Sequence, residues 1–571
     1  MRLGRYVLLR SSQPENTYGR FVVEILQTEG LNGFDLVDLD ASPMPAFQAN
    51  DLVVLTRCFL RNVEMDALIE AVNRGAALLC LQPQWTFARR LGWKPKKKVV
   101  HDGWVRIRPG YPGSGTPIQT HVPIALYEHD GPGDDVEVIV DAVAGDWTDV
   151  GCPAVAHQRM GDGRVALFFY DLPKAVARIR FGDPELASLL TSGRWDFLHA
   201  PDLFDGYVDE RVNHLPQADF HGQLLAKVLT DLSAYPLVRL WYYPDADHRA
   251  AAVFHSDDDL SKPQEFQQLS DAVLRRGGKI TFYLMQNTLL DPKAVAELRG
   301  KGHTFAPHVN PCKARDEWYF DVPRLIAEET ESFQRRFGPC SPSIQCHYAP
   351  WQGYMIWVKD FMKSGYRMLV PYASAPPPLL NKYMCGSGRP IKFFDLDGTL
   401  YDCRQQPLVT YDDASLKDRM GRDYKVLIEE FARLLNDCLT RHHTAMSLSS
   451  HAVSFVDYSK PFFEGCLDLL ARDNVPIYNG DQWTQFLDRR QAVNVAQEIA
   501  SDGRVLCTVS DLTGSVTLMV PCKRSGGAGP TIRVDGRPVK GPVLRRLEED
   551  YCFVPLEGNA ERREIHMELN L

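Results

Sequence analysis

Three patterns of apolar and polar positions succeed one another along the chain. From residue 1 to about 235, short apolar runs at 5–10, 34–40, 51–56 and 76–83 alternate with segments at 18–30 and 63–75 whose apolar positions recur at helical spacing. This predicts a sheet with parallel strands flanked by helices. From 236 to 503 the alternation restarts. Apolar runs at 251–256, 279–285, 303–308, 343–350, 366–372 and 443–451 are separated by amphipathic stretches such as 263–277 and 321–338. Repeated strand and helix units predict a (β/α) barrel with its chemistry at the C-terminal ends of the strands. A helix is expected across 485–500. The tail, 504–571, reads as strands and turns only, at 505–511, 515–521, 531–539, 551–558 and 564–569. Within it, Val534-Asp535-Gly536-Arg537 has the residues of a two-residue hairpin, and the region as a whole predicts a β-sandwich. It lacks an evident array of solvent-facing aromatics, so a structural lid against the barrel is the expectation.

Composition narrows the class without naming a function. The 571 residues are 44% hydrophobic and 24% charged, with a formal charge of −9. That suits roughly three or four globular domains and supplies no field for nucleic acid. The single basic cluster, Lys94 to Lys98, is too short to alter this. No apolar run reaches the ~18 residues of a membrane span, and the first residues lack the apolar core and small-residue cleavage site of an export signal. A cytoplasmic location is the expectation. The 13 cysteines are odd in number and irregularly spaced, unlike a disulfide framework.

The first region resembles the class I glutamine amidotransferase-like fold, a flavodoxin-like α/β arrangement. That resemblance implies a nucleophilic Cys in a glycine-flanked elbow, and Cys80 stands at that point. Its neighbours are Leu79, Leu81 and Gln82, with no glycine. A buried structural cysteine is therefore expected, and a non-catalytic domain.

The acidic triplet Asp257-Asp258-Asp259, at the end of an apolar strand, carries the most chemistry. Adjacent carboxylates repel and are held together by a cation or by a shared proton. Taken alone, such a triplet reads as a solvated turn. His308, His347 and His451, each at a predicted strand end, change that reading.

These segments resemble the polysaccharide deacetylase (NodB-like) family of carbohydrate esterases. The family's opening strand ends in a pair of Asp, a general base followed by a metal ligand. The direct register makes Asp257 the base and Asp258 the ligand, and a one-residue shift makes them Asp258 and Asp259. The family's second motif has two His four apart. Here His308 takes the first place and Cys312 the second, so the third ligand is His347, in the loop after 343–346, with Cys312 in reserve. The resemblance further implies a divalent metal, Zn2+ in the first instance, and a late-strand His, here His451, that protonates the leaving amine. The implied substrate is an N-acylated saccharide or polysaccharide. Trp351, Tyr354 and Tyr348 are candidates for stacking on sugar faces. A barrel that binds carbohydrate without hydrolysing it is the alternative that the missing second His leaves open.

A competing motif lies at 391–402, where Asp395 and Asp397 match the nucleophile loop of haloacid dehalogenase-like phosphatases. Short apolar arms on both sides of Asp397-Gly398 predict a hairpin with a type I′ turn instead. Deacetylase relatives resemble this stretch in a Gly-Ser-Gly, a strand pair and then two Gln. Gln405 and Gln406 thereby become candidates for substrate contact.

Overall fold

The computed structural model describes all residues except 1–4, 132–134, 189–198, 205, 311, 315–316, 319–320, 371–386, 412–422, 501–502, 523–529, 559–564 and 571. The first region folds around a nine-stranded sheet. Five neighbouring strands, Asp35–Asp38, Tyr6–Arg10, Leu52–Leu55, Ala77–Leu81 and Gly163–Phe168, are parallel. Longer antiparallel strands, among them Asp149–Met160 and Val136–Val143, extend it. Cys80 lies inside the strand Ala77–Leu81 at 1% exposure, and burial pushes its thiol well above the ordinary value. It has none of the exposure or acidity of a nucleophile. The sharp turn that follows this strand falls on Gln82, at φ 46°.

The middle region is built on a ten-stranded sheet that curls as a half-barrel. Its order runs Ile391–Phe394, Leu400–Gln405, Met368–Leu369, Ser343–Cys346, Thr304–Val309, Thr281–Leu284, Ala251–Asp257, Ala445–His451 and Thr410–Tyr411, with Ile477–Tyr478 paired to Ala251–Asp257. Every pairing is parallel except the hairpin Ile391–Phe394 with Leu400–Gln405. Parallel strands covered on both faces explain why these segments read as nearly continuous apolar runs. The helices between them start where the chain supplies caps. Asp291 accepts from Ala294 N at 2.7 Å and Asn479 from Gln482 N at 2.8 Å, and Pro263, Pro292 and Pro461 occupy first-turn positions.

The hairpin carrying Asp395 and Asp397 has no nucleophile loop. Asp395 N donates to Thr399 O, Gly398 N donates to Asp395 O, and the Tyr401 hydroxyl donates to Asp395 Oδ2 at 2.8 Å. Only Gly398, at φ 84°, is left-handed. The turn is thus a longer one with its glycine in the bulge position, and not the expected type I′. Asp535 and Gly536, at φ 47° and 75°, do form the type I′ turn expected in the tail.

The helix expected over 485–500 stops at Ala492, and Asn494–Ile499 pairs antiparallel with Val505–Ser510. Val493 and Val495 bury alternate positions there, which a strand satisfies and a continued helix does not. The tail forms two antiparallel sheets, one of five strands and one of four. Arg239–Leu240 belongs to the second, pairing with Gly514–Pro521, so the connection between the first and middle regions is woven into the tail.

A buried ionic cluster locks the first and middle regions together. Glu29 pairs with Arg239 at 2.7 Å and with Arg389 at 2.6 Å, and it accepts from the Tyr242 hydroxyl. The Arg389 guanidinium lies 3.7 Å over the Tyr242 ring. Such a cluster fixes one arrangement of the regions, because displacing any member strands a charge out of water.

Candidate metal and catalytic site

Strand register assembles the site. Asp257 ends its strand directly beside His451, and His308 lies beside Gln345 on a second pair, beyond the strand Thr281–Leu284. His347 follows Gln345 by two residues, and its N–H donates to Val309 O. Four C-terminal strand ends on the two sides of Thr281–Leu284 thus contribute to one place, where a curled parallel sheet is expected to hold its chemistry.

The strand ends at Asp257, and the turn that follows, left-handed at Asp259 and Leu260, separates the carboxylates of the acidic triplet. Asp257 and Asp259 face the histidines, and Asp258 points away. The Asp258 carboxylate accepts from Met285 N and Ser261 N, both at 3.1 Å, and burial pushes its carboxyl up to about 6. Asp258, expected as a metal ligand, is therefore a brace for the turn. The Ser261 hydroxyl donates to Asp258 O and accepts from Val453 N, which ties this turn to the segment after His451.

The residue that joins the histidines is Asp259. Its Oδ1 lies 3.4 Å from His347 Nδ1 and 3.7 Å from His308 Nε2, and these two nitrogens are 3.3 Å apart. Burial alone would raise the Asp259 carboxyl. The hydrogen bond to His347 and the fields of His451 and His308 outweigh it and hold the group well below the carboxylate range. His308 is 1% exposed, and burial pushes its imidazole down to about 3, so the ring is neutral. Its Nδ1 sits 3.0 Å from Gln345 O and donates to it, which turns the Nε2 lone pair toward Asp259 and His347.

Asp259, His308 and His347 meet the requirements of a divalent metal. A tetrahedral ion with bonds of about 2.1 Å keeps its ligand atoms about 3.4 Å apart. The three donor atoms lie close to that spacing, within 4.8 Å of one another. Asp259 Oδ1 is buried and, apart from its contact with His347, has no well-directed hydrogen bond among the described residues, which leaves it free to face a cation. One carboxylate and two imidazoles also leave coordination positions open. The Cys312 backbone lies in the short strand Cys312–Ala314, and its side chain falls outside the described residues.

Asp257 and His451 border the donor set. Asp257 Oδ2 lies 3.8 Å from both His308 Nε2 and His451 Nε2, and it accepts from Gln345 Nε2 at 2.5 Å. His451 Nε2 is 3.4 Å from Asp259 Oδ2. The surrounding backbone is strained. Asp259, Leu260, Tyr348 and Ala349 have φ of 42°, 59°, 61° and 44°, a left-handed region that such residues seldom enter and that clusters at functional sites.

The expected substrate contacts resolve differently. Tyr348 is 49% exposed, with its ring centroid 4.1 Å from that of His347, and borders the site. Trp351 and Tyr354 are buried at 6% and 8%. Trp351 Nε1 donates to Tyr354 O at 2.7 Å, and its ring stacks on Phe393. Gln405 is fully buried, exchanging hydrogen bonds with the Arg180 side chain and carbonyl at 2.9 Å. Gln406 accepts from Trp483 Nε1 at 2.9 Å and donates to Gly388 O at 2.8 Å. These four serve as internal braces, Gln405 held by Arg180 of the first region and the other three by contacts within the middle region. Trp351→Ala is accordingly expected to destabilise the fold by about 3–5 kcal/mol, read by denaturant unfolding, whereas a stacking role would show as weakened saccharide binding at unchanged stability.

Two residues escaped the sequence reading, Gln345 and His255, whereas Asp259 as a ligand was the alternative given by the one-residue shift. Parity would have found them, since His255 and Asp257, and likewise Gln345 and His347, are two apart.

No family model and no curated protein sequence matches the chain. Among solved structures, it is similar to Agd3, described as a novel carbohydrate deacetylase, at 10% identity and a TM-score of 0.44, over 100% of this chain and 99% of that one. It is also similar to a family 4 carbohydrate esterase from Streptomyces lividans, solved with acetate, at 12% identity and a TM-score of 0.26, over 39% of this chain and 90% of that one. A β-galactosidase from Bacillus circulans sp. alkalophilus aligns with 31% of the chain and 30% of its own, at 10% identity and a TM-score of 0.23. Among the described residues no helix is long and apolar enough to cross a membrane.

Proposed function

We propose that the protein is a metal-dependent hydrolase that removes an N-acetyl or similar acyl group from a saccharide. The observation that carries this reading is the convergence of Asp259, His308 and His347 on one point flanked by Asp257 and His451. A bound divalent ion would supply Lewis-acid polarisation of the acyl carbonyl and a water acidified toward neutrality.

The chain's own residues do the rest. Asp257 Oδ2, held by Gln345, accepts the proton that water gives up as its oxygen bonds to the acyl carbon. His451 delivers a proton to the sugar nitrogen as the carbon–nitrogen bond breaks, releasing a carboxylic acid and a free amine. Asp259 Oδ2 lies 3.4 Å from His451 Nε2 and holds the ring toward the site. Tyr348 offers an exposed aromatic face at the rim for a sugar ring.

The test is release of acetate from N-acetylated oligosaccharides by protein loaded with zinc or cobalt. Release that stops with a chelator and returns with metal is the expected result. Metal-loaded protein that binds an oligosaccharide and releases no acetate would move the function to saccharide binding.

A further inference from the structure

Gln345 touches both halves of the site at once. Its side-chain Nε2 donates to Asp257 Oδ2 at 2.5 Å, and its peptide carbonyl accepts from His308 Nδ1 at 3.0 Å. An ionised carboxylate can only accept, so the Gln345 amide must turn its NH2 to Asp257 and its oxygen the other way. That oxygen, Oε1, is buried and forms no well-directed hydrogen bond among the described residues. It needs a donor.

His255 stands in the right place to be that donor. It precedes Asp257 by two residues and so shares its face of the strand. The His255 ring is 1% exposed, its Nε2 is 3.0 Å from Ser447 Oγ, and its Nδ1 is a second buried atom without a well-directed partner. The His255 ring and the Gln345 amide interact. Burial pushes the imidazole down to about 3, so it is neutral and carries one proton. If the Ser447 hydroxyl donates to Nε2, that proton lies on Nδ1 and serves Gln345 Oε1.

We propose that Ser447, His255 and Gln345 form a neutral positioning chain that fixes the orientation of Asp257 and, through the Gln345 carbonyl, the donor face of His308. Rested on the deacetylase reading, this chain has a chemical purpose. An arginine at the same place would orient the carboxylate and also lower its basicity, whereas an amide orients it and leaves the charge available to take a proton. The three are positioning residues and meet no substrate.

Asn and Gln in place of His255 separate the chain from mere packing, since an Asn amide nitrogen occupies the place of Nδ1 and a Gln amide nitrogen that of Nε2. In zinc-loaded protein, Gln345→Leu is expected to lower kcat about 10- to 100-fold while KM and zinc affinity stay within twofold, because the backbone carbonyl to His308 remains. His255→Leu is expected to match it, His255→Asn to recover most of the rate and His255→Gln not to. The double variant Gln345→Leu with His255→Leu is expected to be no worse than Gln345→Leu alone. Equal losses in His255→Asn and His255→Leu, or an unchanged kcat in Gln345→Leu, would overturn the proposal. Nitrogen-15 NMR of the imidazoles gives a readout that needs no substrate: His255 is expected as the Nδ1–H tautomer, shifted in Gln345→Leu. An Nε2–H tautomer overturns the chain even in active enzyme. A wild type that holds zinc and shows the Nδ1–H tautomer but releases no acetate sinks the deacetylase reading and leaves the chain standing.

Discussion

Asp259→Ala is expected to yield a folded protein that no longer holds a stoichiometric metal ion and whose acetate release falls by about 10³-fold or more. The size follows from the several kcal/mol that metal polarisation of a carbonyl supplies, each 1.36 kcal/mol of which is tenfold in rate. Removing this carboxylate leaves His308 and His347 facing each other at 3.3 Å with no anion between them and solvent. Asp258→Asn is the control that decides the register. Its carboxylate serves the Met285 and Ser261 N–H groups, so the change is expected to cost about 1–3 kcal/mol of stability while metal still binds. Metal analysis of the two purified variants separates them. A protein that loses its metal with Asp258→Asn and keeps it with Asp259→Ala would return the ligand role to Asp258.

The second large effect is expected from Asp257→Asn, with the opposite signature. Metal content should be retained, because Asp257 Oδ2 lies 3.8 Å from His308 Nε2, outside the three-donor set. Turnover should fall by about 10²- to 10⁴-fold, the range that a positioned base contributes, since an amide oxygen cannot take the proton from water. Single-turnover acetate release beside zinc analysis reads both quantities. Loss of metal together with activity would place Asp257 among the ligands and leave the reaction without its base.

Much of the fold is legible along the chain, and the reasons are local. Parallel strands covered on both faces have to be apolar throughout, so the runs at 251–256, 303–308 and 443–451 announce themselves, and their C-terminal ends announce where chemistry belongs. Asp535-Gly536 supplies both left-handed positions of its turn and folds as read. Failures came where a local pattern admits two structures. Residues 494–499 carry apolar positions compatible with a helix until the partner strand Val505–Ser510 is present to pair with them. Asp397-Gly398 closes a hairpin as expected, but the chain takes a longer turn that lets Asp395 N reach Thr399 O.

The sequence by itself determined that three carboxylates and three histidines would stand at strand ends, because which residues end a strand is a matter of side-chain pattern over a few positions. Which carboxylate meets the histidines was decided only in three dimensions. The turn after Asp257 sends Asp258 to the Met285 and Ser261 N–H groups, and its left-handed residues Asp259 and Leu260 bring the third carboxylate back to His308 and His347. The fate of Trp351, Tyr354, Gln405 and Gln406 was likewise decided by packing. Polar and aromatic groups near strand ends look alike in sequence whether they face a ligand or another part of the chain. Here Arg180 and Trp483 claim the two glutamines, and Phe393 covers Trp351. Burial is a property of what lies across the gap, and no residue carries that information in its own neighbourhood along the chain.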